Sequence, residues 1–250
     1  MKRIAIYGKG GIGKSTVTSN VAAALAADGL TVMQVGCDPK ADSTLLHTNG
    51  VPAPTILSLI RDGNFSLGRA VRRGEDGVLC AECGGPPPGT GCAGRGVVAA
   101  FEALAGAKAF EIYRPDVVLY DVLGDVVCGG FAMPLRGGYA KDVFIVTSGE
   151  KMSLYAAANI SLALASFKGR GYATLSGFIG NRRDVEGEAA AIAALAAEAG
   201  APVVAMLARD PLIAAADAAG TTALRMAPES PAAALFFDLA KKLMEVSTDA

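Results

Sequence analysis

Short apolar runs, many of them β-branched, alternate along the chain with segments in which apolar residues have helical spacing. The runs predict strands at Arg3–Tyr7, Thr31–Gly36, Asp116–Val122, Asp142–Thr147, Thr174–Ile179 and Val203–Leu207. The segments between them predict helices at Ser15–Ala27, Gly96–Leu104, Met152–Phe167 and Glu186–Ala199. Such alternation is typical of a mostly parallel sheet with helices on both faces. We therefore expect an α/β fold, a doubly wound sheet in a single domain over residues 1–250.

One segment does not follow this pattern. Residues 80–96 read CAECGGPPPGTGCAGRG and are rich in glycine and proline, so they cannot be regular structure throughout. We expect a surface loop with a functional role.

Charge and composition exclude several functions. The net charge is −1, so there is no basic field for nucleic acid or an anionic membrane. The longest uncharged run, residues 152–167, is too short and too polar for a membrane span, and the chain opens without a signal peptide. We expect a cytoplasmic protein, in which the five cysteines are metal ligands or core residues rather than disulfides. The single histidine, His47, nearly excludes histidine-based chemistry.

Residues 8–15, GKGGIGKS, match the P-loop pattern between a predicted strand and a predicted helix. Glycines in such a loop let backbone N–H groups surround phosphate oxygens, and the helix N-terminus adds positive potential. We expect Lys14 to contact the β- and γ-phosphates, and Ser15 or Thr16 to contact Mg²⁺. The predicted phosphate loop consists of Gly8, Lys9, Gly10, Gly11, Ile12, Gly13, Lys14, Ser15 and Thr16.

Acidic residues follow two other predicted strands. Residues 35–44, VGCDPKADST, carry Asp38, Lys40 and Asp42, and Asp121 ends the run VVLYD. An aspartate in the position of Asp121 usually binds Mg²⁺ indirectly. Asp125 follows four residues later, and a helix-capping role is open for it. Asp38 is the best candidate to orient the attacking water.

Two cysteines have unusual neighbours. Cys92 and Cys128 are flanked by glycine, whose bare N–H groups can hydrogen-bond to the sulfurs of an iron–sulfur cluster. Cys37 ends a strand and is expected to be a packing residue. Four thiolates could come from Cys92 and Cys128 of two subunits. They could also come from one chain, if the C-x-x-C of Cys80 and Cys83 contributes, and spacing alone leaves both arrangements open.

Four segments together resemble the nitrogenase iron protein family: YGKGGIGKST, GCDPKADST, GGPPPGTGCAGRGV and YDVLGDVVCGGFAMPLR. The similarity runs from residue 1 to about residue 225. It implies a symmetric homodimer in which Cys92 and Cys128 of both subunits hold one [4Fe–4S] cluster, while Cys80 is not a ligand. Cys83 departs from the usual pattern, where a small residue stands.

The resemblance also assigns the remaining site residues. Lys9 resembles the second lysine of a deviant Walker A motif, which reaches the nucleotide of the partner subunit. The implied catalytic residues are Lys9, Asp38 and Asp125. The implied MgATP or MgADP site further includes Lys14, Ser15, Thr16, Lys40, Asp42 and Asp121, with Asn181 and Asp210 near base and ribose. Arg95 and Arg136 correspond to docking residues beside the cluster, or are ordinary surface charges.

The function implied is an ATP-dependent reductase that delivers low-potential electrons to a two-subunit nitrogenase-like enzyme, with a ferredoxin or flavodoxin as upstream donor. Asp121, Asp125 and Cys128 lie on one short segment, so nucleotide state can move a cluster ligand. The chain ends at Ala250, sooner than most nitrogenase iron proteins, and residues 137–139 lack their docking charges. Both departures favour the reductase component of a nitrogenase-like system over nitrogenase proper. Such systems include methylthio-alkane reductase, the nickel-tetrapyrrole cyclase of methanogens and the dark chlorophyll-pathway reductases; CAGRG with FAMPLR speaks against the last, and the methylthio-alkane type is favoured. A positioning ATPase and a cluster carrier are the alternatives from other classes.

Overall fold

The structure is a computed structural model that describes residues 1–86, 93–124, 133–136, 138–167, 169 and 171–249. For Ala93, Met133 and Arg136 only the backbone is described. The predicted residues Cys92, Asp125 and Cys128 lie outside the described part of the chain.

Strands and helices alternate along the described residues. The strands are β1 (Lys2–Gly8), β2 (Val32–Gly36), β3 (Val71–Arg73), β4 (Leu79–Glu82), β5 (Val117–Asp121), β6 (Asp142–Thr147), β7 (Thr174–Asn181) and β8 (Val203–Leu207). The helices are α1 (Lys14–Ala27), α2 (Ile56–Arg61), α3 (Leu67–Ala70), α4 (Ala93–Gly106), α5 (Ala109–Tyr113), α6 (Met133–Arg136), α7 (Lys151–Ala165), α8 (Glu188–Ala199), α9 (Pro211–Ala218), α10 (Ala223–Met226) and α11 (Pro231–Val246). A short 3₁₀ helix covers Leu45–His47.

The strands form one sheet in the order β3-β4-β2-β5-β1-β6-β7-β8. Every pairing is parallel except that of β3 with β4 at one edge. Strands β1 and β2 do not pair with each other, because β5 lies between them. The loops after β2, β5 and β1 therefore meet at the same edge, where ligands bind in open α/β sheets.

Each central strand sends alternate side chains into two separate cores. Ile4 and Ile6 pack with α1, α10 and α11 on one face, whereas Ala5 and Tyr7 pack with α2, α4 and α7 on the other. The sheet is therefore covered on both faces, and the prediction of a doubly wound α/β domain is confirmed. No helix in the described ranges combines the length and the apolar character that a bilayer span needs.

The expectation of a loop over residues 80–96 was wrong at both ends. Strand β4 includes Cys80 and pairs with β2, and α4 begins at Ala93. The strand was missed because it is short and only Cys83 separates it from a run of glycine and proline. Its stability comes from pairing with β2 and β3 rather than from its own composition.

Candidate functional site: a phosphate loop beside two aspartate-bearing strand ends

The loop between β1 and α1 has the backbone that a phosphate site needs. Gly11 and Gly13 have φ of +75° and +89°, which glycine adopts at little cost. Helix α1 begins at Lys14, immediately after Gly13, so its unpaired N–H groups face the loop. These groups and the helix dipole favour an anion here.

The side of this loop is fixed by the end of β7. Asn181 donates a hydrogen bond from Nδ2 to the carbonyl of Ile12 at 2.6 Å. A Cβ at position 13 would lie 2.5 Å from the same Nδ2, so the contact requires glycine. Arg183 donates to the carbonyl of Gly11 at 2.9 Å. The end of β7 thus holds the loop through backbone carbonyls and does not engage the N–H groups that would face a ligand.

Lys14 forms a buried ion pair with Asp121. Its Nζ donates to Oδ1 of Asp121 at 2.7 Å, and both side chains are nearly inaccessible. Burial lowers the pKa of Lys14, but the nearby charge of Asp121, its hydrogen bond and the charge of Asp38 raise it above the ordinary value overall. The lysine is therefore a permanent cation beneath the loop. A bound phosphate would offer it a second anionic partner.

The residues that follow β2 line the opposite wall of the phosphate cleft. This cleft of about 300 Å³ is lined by Lys9, Gly10, Gly11, Gly13, Lys14, Ser15, Thr16, Asp38, Lys40, Asp42 and Leu123. Asp38 is buried and accepts a hydrogen bond from the backbone N–H of Lys40 at 3.0 Å, whereas Lys9 and Asp42 are exposed. The structure thus brings together the predicted residues from the loop, from the segment after β2 and from the end of β5.

The segment after β5 touches the phosphate loop. A Cβ at Gly124 would lie only 2.1 Å from the carbonyl oxygen of Gly8, so backbone meets backbone at this point. Asp125 and Cys128 follow directly in sequence and lie outside the described residues. The start of the segment that carries Cys128 is therefore in contact with the nucleotide loop.

A second cleft, of about 430 Å³, adjoins the first through Gly13 and Thr16. Asn181 and Asp210 line it, as predicted for a base and ribose site. Asp210 also caps α9, because its Oδ1 accepts from the N–H of Leu212 at 2.8 Å. Three arginines that sequence reasoning missed line this cleft as well: Arg182, Arg183 and Arg209. The first two directly follow Asn181, so the end of a strand near the P-loop was the available signal.

A buried carboxylate fixes this second wall. Glu188 accepts hydrogen bonds from the N–H groups of Arg183 and Gly149 at 2.8 and 3.2 Å, and from Nε of Arg182 at 3.3 Å. Burial raises the pKa of Glu188, but these donors outweigh it and the net shift is downward. The ionised side chain ties the end of β7 to the end of β6.

The described thiols do not form a metal site. Cys80 and Cys83 are three residues apart, and they pack into the two cores on opposite faces of the sheet. Cys37 is fully buried in the same core as Cys83, which agrees with its predicted packing role. Burial raises the pKa of Cys37 and of Cys80. This geometry contradicts the one-chain arrangement in which Cys80 and Cys83 join Cys92 and Cys128.

The remaining predicted residues lie at or beside the segments that are not described. Arg95 is exposed in the first turn of α4, three residues after Cys92. Arg136 ends α6, and only its backbone is described. Within the described ranges no three potential metal ligands come together.

The cleft fits a magnesium nucleotide. Its phosphate end combines backbone N–H groups of the loop with Lys14, Ser15 and the carboxylates of Asp38 and Asp42, and its far end holds an amide, a carboxylate and the arginines. A hydroxyl beside carboxylates is a suitable donor set for Mg²⁺.

Solved structures share this architecture. The cell division ATPase MinD of Pyrococcus furiosus matches with a TM-score of 0.75 and 23% identity over 98% of this chain and 99% of that chain. The septum site-determining protein MinD of Pyrococcus horikoshii, complexed with Mg-ADP, matches with a TM-score of 0.75 and 25% identity over 97% of this chain and 96% of that one. The predicted P-loop NTPase fold is therefore confirmed.

Sequence comparison is more specific. A nitrogenase iron protein of Methanospirillum hungatei is 48% identical in an alignment that covers 98% of this chain and 88% of the relative. The family model for 4Fe-4S iron sulfur cluster binding proteins, NifH/frxC family, matches residues 2–249. That family binds a [4Fe–4S] cluster and MgATP. This chain belongs to the NifH/frxC family of 4Fe–4S iron–sulfur cluster binding proteins.

Proposed function

We propose that this protein is an ATP-dependent electron donor, in which MgATP binding and hydrolysis gate electron delivery to a nitrogenase-like catalytic protein. Two adjacent contacts carry the proposal. The ion pair of Lys14 with Asp121 and the contact of Gly124 with Gly8 join the phosphate loop to the segment that leads to Cys128.

The residues of the phosphate cleft bind and orient the nucleotide. Backbone N–H groups of the loop and the Nζ of Lys14 hold the β- and γ-phosphates, and the hydroxyl of Ser15 ligates Mg²⁺. When Lys14 turns to phosphate, Asp121 loses its partner and becomes available to the water shell of Mg²⁺. Asp38 orients the attacking water, with Asp125 nearby on the segment after β5. Lys9 reaches the nucleotide of the partner subunit.

A change at Asp121 is passed on over a short distance. Gly124 is the third residue after it and rests on the backbone of Gly8, so the segment after β5 follows the phosphate loop. Segments held by γ-phosphate and released by hydrolysis are an established switching device. The same segment presents Cys128, and therefore nucleotide state repositions a cluster ligand.

Cys92 and Cys128 of two subunits would together hold one [4Fe–4S] cluster in a symmetric homodimer. When bound, this cluster supplies a one-electron redox centre. The burial of Cys80 and Cys83 on opposite faces of the sheet supports the two-subunit arrangement, because it removes both other candidate thiols. Arg95 and Arg136 flank the segments of Cys92 and Cys128, and dock the catalytic protein. A ferredoxin or flavodoxin is the upstream electron donor that reduces the dimer again.

The catalytic protein is methylthio-alkane reductase, on the evidence of residues 137–139. These residues read Gly-Gly-Tyr where nitrogenase docking surfaces carry charges. Tyr139 packs against Phe101 with ring centroids 4.7 Å apart, which leaves it half-buried rather than projecting. Nitrogenase proper is the second candidate, because the curated relative that is 48% identical is a nitrogenase iron protein.

Anaerobic purification followed by visible and EPR spectroscopy, with and without MgATP, tests the proposal. We expect a brown dimer with one four-iron cluster per two chains, a cluster signal that changes on addition of MgATP, and loss of colour in air. Cys128→Ser should remove the cluster, whereas Cys80→Ser should retain it. A colourless protein that hydrolyses ATP would contradict the proposal and favour a positioning ATPase.

Electron transfer to purified catalytic components separates the two candidate partners. Methylthio-alkane reductase and nitrogenase components are each mixed with the reduced protein and MgATP, and product formation is measured. We expect turnover with the first and none with the second. Arg95→Glu should abolish turnover with methylthio-alkane reductase. Arg209→Glu, in the cleft of about 430 Å³, should mainly weaken nucleotide binding.

A further inference from the structure

Two buried polar side chains lie beneath the end of residues 38–44, the segment that follows β2. Gln34 is on β2 and Glu82 is on β4, and both are fully buried. The two strands are neighbours, with Gly36 opposite Glu82 in register. We call Gln34 and Glu82 the anchoring pair.

Glu82 holds Thr44. Its Oε1 accepts hydrogen bonds from the backbone N–H and from the hydroxyl of Thr44, each at 2.7 Å. Its Oε2 is buried and has no hydrogen-bond partner among the described residues. Oε2 occupies the space beside Gly36, where a Cβ would lie 2.0 Å away, so glycine is required at that position. Burial, together with the charges of Asp121 and Asp42, raises the pKa of Glu82 to about 8 against the lowering effect of Thr44, and the side chain is neutral at neutral pH.

Gln34 holds Ser43. Its Nε2 donates to the carbonyl of Ser43 at 2.8 Å, to the hydroxyl of Ser43 at 2.9 Å and to the hydroxyl of Ser19 at 3.1 Å. Because the carbonyl of Ser43 can only accept, the amide orientation is fixed, and Oε1 faces Nε2 of His47 at 2.9 Å. His47 is held in turn by Asp76 at 2.6 Å. The only histidine of the chain thus orients Gln34.

Residues 38–44 are therefore fixed at both ends. At the first end, the N–H of Cys37 donates to the carbonyl of Asp121 at 2.9 Å. At the second end, Ser43 and Thr44 are held by the anchoring pair. Between them Lys40 and Asp42 are exposed to the phosphate cleft, and Ala41 has a φ of +54°, which is uncommon for a residue with a side chain.

Packing alone does not explain the anchoring pair. A buried carboxyl with one unpartnered oxygen is unfavourable, and an apolar side chain of the same volume would fill the space at lower cost. What an apolar residue cannot do is hold the backbone of Thr44 in one place. Ser43 and Thr44 directly follow Asp42, which lines the cleft.

We propose that Gln34 and Glu82 are positioning residues for nucleotide hydrolysis, which hold Ser43 and Thr44 so that Asp38 and Asp42 face the phosphate cleft. The inference rests on the proposed function only in that MgATP is hydrolysed here. The anchoring pair touches no reacting atom and acts through the 38–44 segment.

Two variants of Glu82 separate positioning from packing. Glu82→Met removes both acceptors at similar volume, and we expect kcat/KM for MgATP to fall about tenfold or more, mainly through kcat, because two hydrogen bonds are lost. Glu82→Gln keeps a carbonyl acceptor for Thr44 and should stay within about threefold of the wild type. Hydrogen exchange without nucleotide should become faster at residues 38–44 in Glu82→Met and not in Glu82→Gln.

Asp142 provides a matched control. It is the first residue of β6, and so lies at the opposite end of the parallel strands from Glu82, the last residue of β4. It is buried, and its Oδ2 accepts from the N–H and the hydroxyl of Thr248 at 2.9 and 3.1 Å, the same arrangement as Glu82 with Thr44. Asp142→Leu removes the acceptors of Thr248 as Glu82→Met removes those of Thr44, and it should leave kcat/KM and exchange at residues 38–44 unchanged. If Glu82→Met does not fold, Gln34→Met, which releases Ser43 from the neighbouring strand, gives the same test.

The outcomes are distinct. Normal kcat/KM and normal exchange at residues 38–44 in a folded Glu82→Met or Gln34→Met protein would overturn the positioning role. An equal loss of kcat/KM in Asp142→Leu would also overturn it, because the effect would then not depend on residues 38–44. A wild-type protein that hydrolyses no MgATP contradicts the proposed function instead, and the exchange comparison still decides whether the pair fixes the segment.

Discussion

At the scale of single residues, the ion pair of Lys14 with Asp121 sets the charge beneath the phosphate cleft. The pair is buried, so each partner depends on the other for a counter-charge. A phosphate that binds Lys14 must therefore compete with a carboxylate. Nucleotide affinity and protein stability are linked through this one contact.

Asp121→Asn tests that link. Breaking a buried pair leaves Lys14 without a counter-charge, and we expect a loss of about 3–5 kcal/mol in the free energy of unfolding, measured by urea denaturation. ADP without Mg²⁺ should stabilise the variant more than the wild type, since no carboxylate has to be displaced. Asp62→Asn removes an exposed pair with Arg61 and should have almost no effect. If ADP stabilised Asp121→Asn and the wild type equally, phosphate would not compete with Asp121 for Lys14.

Glu82 makes stability depend on pH in an unusual direction for a carboxyl group. Its pKa is about 8 in the folded protein and about 4.5 when unperturbed, so the folded state holds the additional proton between these values. Its favourable contribution is present below about pH 4.5 and is lost as the pH rises towards 8. Glu82→Gln cannot ionise, so its stability relative to the wild type should increase from about pH 5 to about pH 8 in nucleotide-free protein. A constant difference across that range would show that Glu82 is ionised throughout.

At the scale of elements, the close approach of the segment after β5 to the phosphate loop is the main connection. Gly124 and Gly8 meet through backbone atoms alone, so no side chain can adjust to relieve a clash. The connection requires glycine at position 124. A single methyl group at this position would push the phosphate loop and the segment that leads to Cys128 apart.

Gly124→Ala should therefore impair coupling. The new Cβ would lie 2.1 Å from the carbonyl of Gly8, and one of the two segments must move. We expect the change in the cluster EPR signal on MgATP addition to be reduced or lost, while the cluster itself remains. Gly106→Ala is the matched control, because nothing lies within 4 Å of its added Cβ. A normal response to MgATP in Gly124→Ala would exclude this contact as the link.

The elements that the sequence predicted are those with a local signal. Six apolar runs marked six strands, and the glycines of residues 8–13 marked the phosphate loop, because backbone conformation alone requires them. Strands β3 and β4 lacked such a signal. The same holds for Glu82 and Gln34, whose roles depend on Ser43 and Thr44 of another segment. Tertiary hydrogen bonds of this kind leave no periodic trace in a sequence.

At the scale of the whole molecule, a dimer that shares one cluster divides the cysteines into two classes. Cys37, Cys80 and Cys83 are buried in the cores of each subunit, and burial makes thiols unreactive. Cys92 and Cys128 are the proposed ligands at the subunit boundary. The two classes should differ in reactivity once the cluster is removed.

Iron chelation followed by alkylation with iodoacetamide tests this division. We expect mass spectrometry to find no alkylated cysteine in the anaerobic, cluster-loaded dimer, and only Cys92 and Cys128 modified after chelation. Unfolding in guanidinium should then expose all five cysteines. Modification of Cys80 or Cys83 in the folded protein would contradict the burial of these thiols.

The strand order also has a consequence for synthesis on the ribosome. Within the described part of the chain, the strands that pair with β1 are β5 and β6, and β5 lies between β1 and β2. The first strand thus has no neighbour until residues 117–121 have left the exit tunnel. Until then the nascent chain exposes β1 without a partner, whereas β2 can already pair with β4. The unpaired apolar strand favours chaperone binding and delays acquisition of nucleotide and iron until more than a hundred residues have been translated.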